Sequence, residues 1–342
     1  MIEPTAALRS LADRHGVKFV FFVDAGFILR ARSEMHRSAR LAADHDAVCR
    51  QVSELAADGH EIQLHIHPHW EDSTWDGDGW RIDTRRYALH DFDCEQIDDI
   101  VGRYTNVLRE LAGAGHAFAY RAGGWVIQPF AKLRQALAAH GVVIDSSVYR
   151  GGFADGAVHH FDFRAAPQAS RWRFDDDPLH ERPDGPFLEV PIASHRVWPW
   201  SYWGLAAARK LGGRTHHSFG DGQGLSPMRR RDLVHRLLVP SQQAVSLDGY
   251  MAGLVASAAR RYRAQGKDDF VVIGHPKMLT PYSLRCIEAF IASGIAERLV
   301  TYRSYLARDA AASAGVSEAP SGPLVSPLPS MKAFVHGSCA VR

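Results

Sequence analysis

The stretch Gly59–Trp70, GHEIQLHIHPHW, joins a mostly apolar strand pattern to three histidines at alternating positions. The segment 61–66 is short and mostly apolar, and Gly59 lies two positions before it. These features together predict a β-strand. In parallel α/β folds, ligands gather at the carboxyl ends of the strands. The stretch therefore predicts a strand that delivers a cluster of imidazoles to a functional site.

The same order of helical pattern, glycine and apolar run recurs along the chain. Helical periodicity is found at 5–14, 44–58, 97–111 and 129–140, and a glycine follows each segment within a few residues. This repetition predicts a parallel α/β sheet or barrel. The predicted strands are 17–23, 61–66, 117–121, 142–147, 187–192, 270–275 and 298–302.

Two segments depart from this pattern. Residues 196–250 contain three tryptophans, a Gly-rich patch and an Arg-rich run, and they are predicted to form an insertion that leaves the sheet. Its tryptophans could stack on sugar rings, touch a membrane surface through 196–210, or simply pack the insertion. Residues 1–307 are thus predicted to form one domain, and the Ala-, Ser-, Gly- and Pro-rich segment 308–342 is predicted to be disordered.

Composition narrows the class of partner only slightly. The chain has 342 residues and a formal charge of +2, and this nearly neutral balance gives no reason to expect nucleic acid as a partner. Its four cysteines form no CxxC pair, which is typical of a reducing compartment. No uninterrupted apolar run reaches the length of a membrane span, and the first residues do not resemble a secretion signal. The sequence therefore predicts a soluble, cytoplasmic protein.

Ionisable residues end several of the predicted strands. Packing alone rarely accounts for such a repeated pattern, because charged groups are costly to bury without partners. These residues are therefore the candidates for chemistry. They are Asp24, His65, His67, His69, Arg121, Asp145 and His275.

Two pairs of histidines in this stretch could bind a metal ion. His65 and His69 could converge if the chain turns at Pro68, whereas His65 and His67 lie on the same face of a continuing strand. Histidines in such clusters also occur simply as hydrogen-bonded core residues. Three in five residues at a strand end favour a metal site.

The order of five motifs resembles the polysaccharide deacetylases of carbohydrate esterase family 4, which have the NodB-homology fold. The motifs are RHGVKFVFFVD, DGHEIQLHIHPHW, AYRAGGW, DSSV and VVIGHPK, and the similarity runs over residues 5–305 apart from the insertion. The resemblance implies an irregular (β/α)7-type barrel with parallel strands. It also implies a metal-dependent hydrolase that removes N-acetyl groups from a glycan or polysaccharide.

The resemblance assigns roles to individual residues. It implies that His65 and His69 bind a divalent metal ion, zinc being the first candidate. It implies that Arg121 orients a carboxylate base and that His275 donates a proton to the departing amine. Asp145 lies near the motif whose acid tunes that histidine.

The chain departs from the family at its start. The run VKFVFFV corresponds to the family's second strand, so the first strand and its paired aspartates are not found within residues 1–342. We expect, in order of preference, that this strand precedes Met1, that Asp24 substitutes for the missing acids, or that the chain binds sugar without hydrolysing it. A further alternative is an amidohydrolase or phosphoesterase that uses His65 and His67 as an HxH pair.

Overall fold

The computed structural model describes residues 2–220, 230–295 and 298–307, and it describes the backbone of 332–339. In this part of the chain, helices alternate with short, mostly parallel strands. The strands are β1 Val20–Asp24, β2 Glu61–Ile66, β3 Thr74–Trp75, β4 Trp80–Arg81, β5 Ala119–Ala122, β6 Ile144–Asp145, β7 Phe153–Asp155, β8 His160–Asp162, β9 Trp172–Phe174, β10 Phe187–Glu189, β11 Ser194–Val197, β12 Ser241–Ala244, β13 Asp269–Gly274, β14 Arg298–Leu299 and β15 Lys332–Cys339.

Helices precede or follow most strands of the main sheet, and 3-10 turns lie at several strand ends. The turns that matter for the site are Pro68–Glu71, Gly123–Trp125 and Pro276–Met278. The helices are α1 Ile2–His15, α2 Ala25–Glu34, α3 Ala39–Ala57, α4 Cys94–Ala112, α5 Arg134–Ala139, α6 Pro199–Leu211, α7 Gly213–His216, α8 Arg230–Leu238, α9 Val255–Ala264 and α10 Pro281–Ala292.

Helix α4 illustrates how the local sequence sets an element. The Asp93 carboxylate accepts a hydrogen bond from the backbone N–H of Gln96, and the Gln96 side chain accepts one from the backbone N–H of Asp93. This reciprocal cap satisfies N–H groups that the first turn leaves without partners. Apolar residues three and four positions apart, such as Ile97, Val101 and Leu108, are buried against the sheet. The predicted amphipathic helix is confirmed.

Within the described residues, the main sheet contains nine strands in the order β13, β15, β1, β2, β5, β6, β10 and β9, and β14 pairs with β15. All of its pairings are parallel except that of β10 with β9. Strands β1, β2 and β13 are buried along their whole length, as expected for strands covered on both faces. The prediction of a parallel α/β fold is confirmed.

The C-terminal strand β15 differs from the sequence-based prediction of a disordered tail. Residues 332–339 form a parallel strand inserted between β1 and β13, so the prediction of disorder was wrong for these eight residues. The remaining tail residues, 308–331 and 340–342, lie outside the described residues. Local composition misled here because the pairing partners of this strand lie at least 34 residues away in sequence.

The predicted insertion forms its own antiparallel ribbon. Strands β11 and β12 pair with each other outside the main sheet, and α6 and α8 lie between them in sequence. Trp198, Trp200 and Trp203 are 39%, 58% and 57% exposed, so they do not serve as the core of the insertion. Across the described residues, no helix combines the length and apolar character needed to cross a membrane.

Candidate functional site

Three neighbouring strands bring ionisable residues together at the carboxyl edge of the sheet. In the strand register, Asp24 of β1 lies beside His65 of β2, and His65 lies beside Arg121 of β5. Adjacent parallel strands are about 4.8 Å apart. These three of the predicted strand-end residues therefore lie side by side on adjacent strands.

His65 has the tautomer that a metal ligand needs. It is 4% exposed, and its Nδ1 lies 2.7 Å from the carbonyl oxygen of Arg121. Because a carbonyl oxygen can only accept, Nδ1 carries the proton and Nε2 keeps its lone pair. Burial lowers the pKa of His65 to about 3, so the imidazole is neutral at pH 7.

His67 and His69 follow His65 through the turn that begins at Pro68. The ring centroids of His65 and His67 are 4.5 Å apart, and those of His67 and His69 are 5.3 Å apart. Burial lowers the pKa of His69 to about 4 and holds the pKa of His67 well below its ordinary value. The Nδ1 atoms of His67 and His69 are buried and have no hydrogen-bond partner among the residues that the structure describes.

Asp24 supplies the carboxylate of this cluster. It is 1% exposed, and its Oδ2 accepts a hydrogen bond of 2.8 Å from the indole Nε1 of Trp70. The same oxygen lies 3.6 Å from Nδ1 of His67, while Oδ1 has no side-chain partner. Burial raises the pKa of Asp24 to about 7, because the charged form is poorly solvated there.

A glycine allows His67 to pack tightly against the next strand end. A Cβ atom at Gly123 would lie 2.4 Å from Cδ2 of His67 and 2.6 Å from the carbonyl oxygen of Ile66. Any side chain at this position would displace the imidazole or the backbone of β2. The glycines of AYRAGGW thus have a local steric role in forming the site.

Arg121 lies at the predicted edge but contacts no carboxylate directly. Its Nε donates to the carbonyl oxygen of Ser146 at 2.7 Å and its Nη2 to Oγ of Ser146 at 2.9 Å. The guanidinium also lies 4.4 Å from the ring centroid of Phe22. Among the described residues, no acidic oxygen lies within 4.0 Å of it. Arg121 therefore connects β5 to the segment after β6 through two hydrogen bonds.

Among the described residues, Asp145 forms no hydrogen bond with His275, and the role that the family resemblance suggested for Asp145 stays a prediction. Its carboxylate accepts hydrogen bonds from the hydroxyl and the backbone N–H of Ser147. It also lies beside Glu189 in the strand register. Burial, and after it the charge of Asp145, raise the pKa of Glu189 well above its ordinary value. Asp145 therefore belongs to a buried acid pair near Arg121.

The partner of His275 is Asp248, which the sequence did not reveal. Nδ1 of His275 lies 2.8 Å from Oδ2 of Asp248, and the backbone N–H of His275 donates to Oδ1 at 2.7 Å. This double contact fixes the ring and makes Nδ1 the donor. The second nitrogen, Nε2, is left for a substrate. No local signal pointed to Asp248, which lies 27 residues earlier in the segment VSLDGY.

Two aromatic residues complete the surroundings of the histidines. Trp70 donates to Asp24 as described, and the ring of Tyr87 stacks on His69 with centroids 5.9 Å apart and planes 4° apart. The Tyr87 hydroxyl lies 3.2 Å from Nε2 of His159. Trp70 could have been suspected from its position next to His69, whereas Tyr87 lies in a loop without a recognisable pattern.

A different trio of described residues comes close enough to hold a metal ion. Single ligand atoms of Asp13, Asp58 and His60 all lie within 4.8 Å of one another, a spacing that the histidines around His67 do not reach. Two contacts oppose metal binding by the trio. Asp58 is already paired with Arg9, and Nδ1 of His60 accepts from the backbone N–H of Phe19. Nε2 of His60 must then carry the proton, so it offers no lone pair.

His60 should make the stability of the protein depend on pH. It is 1% exposed, and burial lowers its pKa to about 4. As the pH falls from about 6.5 to 4, the unfolded chain gains a proton that the folded His60 does not. We expect His60→Asn, which keeps an acceptor for Phe19, to reduce the slope of unfolding free energy against pH by up to about 1.4 kcal/mol per pH unit in that window.

Urea unfolding at several pH values between 7 and 4 would measure this slope. His36→Asn, at an exposed position, is the matched control and should leave the slope unchanged. Identical slopes for the wild type and His60→Asn would contradict the prediction.

Comparison with protein-family models, with curated proteins and with solved structures finds no match for this chain. The geometry of the strand-end cluster therefore carries the functional argument. That geometry defines a site with buried neutral imidazoles, one carboxyl group and a separate histidine–aspartate pair.

Proposed function

We propose that the protein is a metal-dependent hydrolase that removes N-acetyl groups from a glycan or polysaccharide. The observation that carries the proposal is the proximity of the histidine cluster after β2 to the His275–Asp248 pair after β13. Both groups lie at the carboxyl edge of the same parallel sheet, with β15 and β1 between their strands, and the charge of His275 contributes to lowering the pKa of His65. Amide hydrolysis needs both a site that activates water and a proton donor for the amine.

The proposed architecture is the irregular barrel that the family resemblance implies. Three single parallel bridges support it. Ile192, just beyond β10, bridges both Tyr149 and Val271, and Ser246 bridges Ile273. Tyr149 follows β6 and Val271 belongs to β13, so Ile192 links two regions that lie far apart in the strand order of the sheet. Closure at this point would convert the sheet into a barrel.

The donor atoms at the site suit a divalent metal ion in their chemistry, although their spacing is wider than that of Asp13, Asp58 and His60. Nε2 of His65 has the correct tautomer, and the Nδ1 atoms of His67 and His69 and Oδ1 of Asp24 are buried without hydrogen-bond partners. Such groups are costly to leave unpaired, and a cation would compensate them. We propose His65 and His69 as the protein ligands, with Asp24 as the anionic one. A bound zinc ion would polarise the acetyl carbonyl and make a water molecule nucleophilic.

The side chains of this chain then have distinct tasks. Asp248 holds His275 so that Nε2 faces the substrate, and a proton on that nitrogen would pass to the amine as the C–N bond breaks. Trp70 orients Asp24 through its indole N–H. Arg121 acts at a distance, because it bonds to Ser146 and holds the strand ends at their spacing.

Two alternatives make different use of the same site. An HxH hydrolase would bind its metal through His65 and His67, which the short distance between their rings allows. A sugar-binding protein without activity would keep the fold and release no acetate. In all three cases we propose a carbohydrate or similar small substrate and no nucleic acid. Contact of 196–210 with a membrane surface, favoured by the exposed Trp200 and Trp203, and a cytoplasmic location both remain predictions.

Replacing Asp248 tests the role of the pair. We expect Asp248→Asn to lower kcat for acetate release from N-acetylated oligosaccharides by roughly 100-fold or more, because the general acid loses its orientation. Zinc binding should stay within about twofold of the wild type, since Asp248 is not a proposed ligand. Acetate release by the zinc-loaded protein, measured enzymatically, gives the first quantity, and chelator competition gives the second.

The control is Asp268→Asn, which removes an acid at an exposed position. It should leave both quantities unchanged. A wild-type protein that binds zinc and glycan but releases no acetate would favour the sugar-binding alternative. Equal activity of wild type and Asp248→Asn would overturn the proposed proton donor.

A further inference from the structure

A strongly basic cavity lies apart from the histidine cluster. It has a volume of about 510 Å³ and is formed by the segment after β6, the start of β11 and the end of α9. None of the residues assigned above to the proposed hydrolytic site lines it. Its lining contains the cations Arg150, Arg164, Arg196, Arg261 and Lys267, together with the imidazole of His195.

The lining contains no acidic residue within the part of the chain that the structure describes. Among the described residues, Arg164 is the one lining cation with a carboxylate partner, since it forms a two-point contact with Asp162. Arg150 and Lys267 instead donate to backbone carbonyl oxygens of the segment 167–169. Carbonyl oxygens are dipoles, so they satisfy these donors without neutralising their charge. The cavity therefore keeps a positive potential.

Mutual repulsion among these groups is visible in their ionisation. The charge of Arg150 adds to burial in lowering the pKa of Lys267. Burial, and after it the charge of Arg261, lower the pKa of His195 to about 4. Like charges that face one another destabilise the folded state unless an anion lies between them. Such an anion would attract each of these groups and so offset their mutual repulsion.

We propose that this cavity binds a phosphate-bearing ligand. Guanidinium groups recognise phosphate oxygens through pairs of parallel hydrogen bonds, and the cavity offers several of them. Its volume is within the range of small-molecule pockets, about 300–1,000 Å³, which is enough for a phosphorylated sugar or for a diphosphate with its attached group. Gln242, held by a hydrogen bond to Ser194, adds a neutral polar group for the rest of the ligand.

The phosphate could belong to a soluble molecule or to a lipid. Arg196 favours neither source: it lines the cavity, and its guanidinium also lies 5.2 Å from the ring of Trp198. Trp198 in turn stacks on Trp200, with ring centroids 4.8 Å apart. These exposed indoles would lie at the interface if the phosphate were part of a membrane. The shared chemistry is the phosphate group, and an experiment can separate the two sources.

The test uses the full-length protein and two probes. Pyrophosphate binding is measured by isothermal titration calorimetry at low salt, and binding to vesicles is measured by co-sedimentation with phosphatidylcholine containing phosphatidic acid. The pocket variant is Arg196→Gln/Arg261→Gln. The matched control is Arg209→Gln/Arg260→Gln, which removes two exposed arginines from the neighbouring helices α6 and α9 but not from the cavity.

We expect the pocket variant to bind at least one probe about tenfold or more weakly than the wild type. The control, which has the same net charge, should bind within about twofold of the wild type. Loss of pyrophosphate binding alone indicates a soluble ligand, and loss of vesicle binding indicates a lipid phosphate. Absence of binding to both probes, or equal weakening in both variants, would overturn the proposal. Acetate release does not enter this comparison, so the outcome is independent of the hydrolase proposal.

Discussion

Replacing His65 by Gln should remove metal binding and activity together. Glutamine retains a hydrogen-bond donor for the carbonyl of Arg121, but it lacks the nitrogen lone pair that Nε2 of His65 offers. We expect zinc affinity to fall at least about 100-fold, because the remaining ligands cannot complete a tetrahedral site. Zinc content after dialysis and competition with a chromogenic chelator measure this change, and acetate release should fall to background.

The other histidines decide which pair binds the metal. His69→Gln should reproduce the loss seen with His65→Gln, whereas His67→Gln should retain most of the bound zinc. The reverse pattern, with loss at His67 and retention at His69, would replace our assignment by the HxH alternative. His36→Gln, at an exposed position, controls for metal bound by surface imidazoles.

Thermal unfolding without metal would separate ligand loss from misfolding. His65 is buried, so a variant with an unchanged transition and no zinc binding supports a ligand role. If all three single variants fold normally and retain zinc at wild-type affinity, the strand-end cluster is not the metal site. The trio Asp13, Asp58 and His60 would then be the next candidate, despite the contacts that oppose it.

The sequence predicted those features that depend on short-range patterns. Strand β2 begins and ends at the predicted residues, because a glycine precedes it and a proline follows two residues after it. The location of His65, Arg121 and His275 at strand ends followed from the alternation of apolar runs and polar residues. In a parallel sheet these ends lie on one side, so their grouping could also be predicted.

Features that depend on distant contacts could not be predicted in this way. Asp248 pairs with His275 because the chain returns from the insertion just beside β13, where Leu247 donates to Ile273. No sequence pattern in the segment 245–250 predicts that the chain returns to the sheet there. The neighbours of Asp145, Ser147 and Glu189, could not be predicted for the same reason, although its position at a strand end could. Sequence spacing indicates the edge of a sheet but not which side chains pair across it.

Strand β15 was missed because composition outweighed a weak strand pattern. The preceding residues are rich in Ala, Ser, Gly and Pro, a composition typical of chains that cannot bury enough apolar surface to fold. The short run KAFVHGSC was therefore included in the segment predicted to be disordered. In the sheet it lies beside β1. A sequence-distant segment thus supplies the backbone partner of β1.

Disrupting the pairing of β15 should therefore destabilise the part of the sheet formed by β13, β15 and β1. Its register runs beside β1 from His336 to Cys339 and beside β13 from Lys332 to Gly337. A proline in a central strand removes a ladder hydrogen bond and strains the backbone. We expect Val335→Pro to lower the free energy of unfolding by about 3 kcal/mol or more, measured by urea denaturation.

A truncation that ends at Met331 should have a still larger effect, because β1 and β13 would both lose a neighbour along their length. Exposed edges of two buried strands also promote intermolecular pairing, so aggregation should accompany the loss of cooperative unfolding. Removing only residues 340–342 is the matched control, since it leaves the paired residues intact. If the truncation at Met331 unfolds at the same urea concentration as this control, β15 contributes nothing to the sheet, and the partner of β1 must come from another strand.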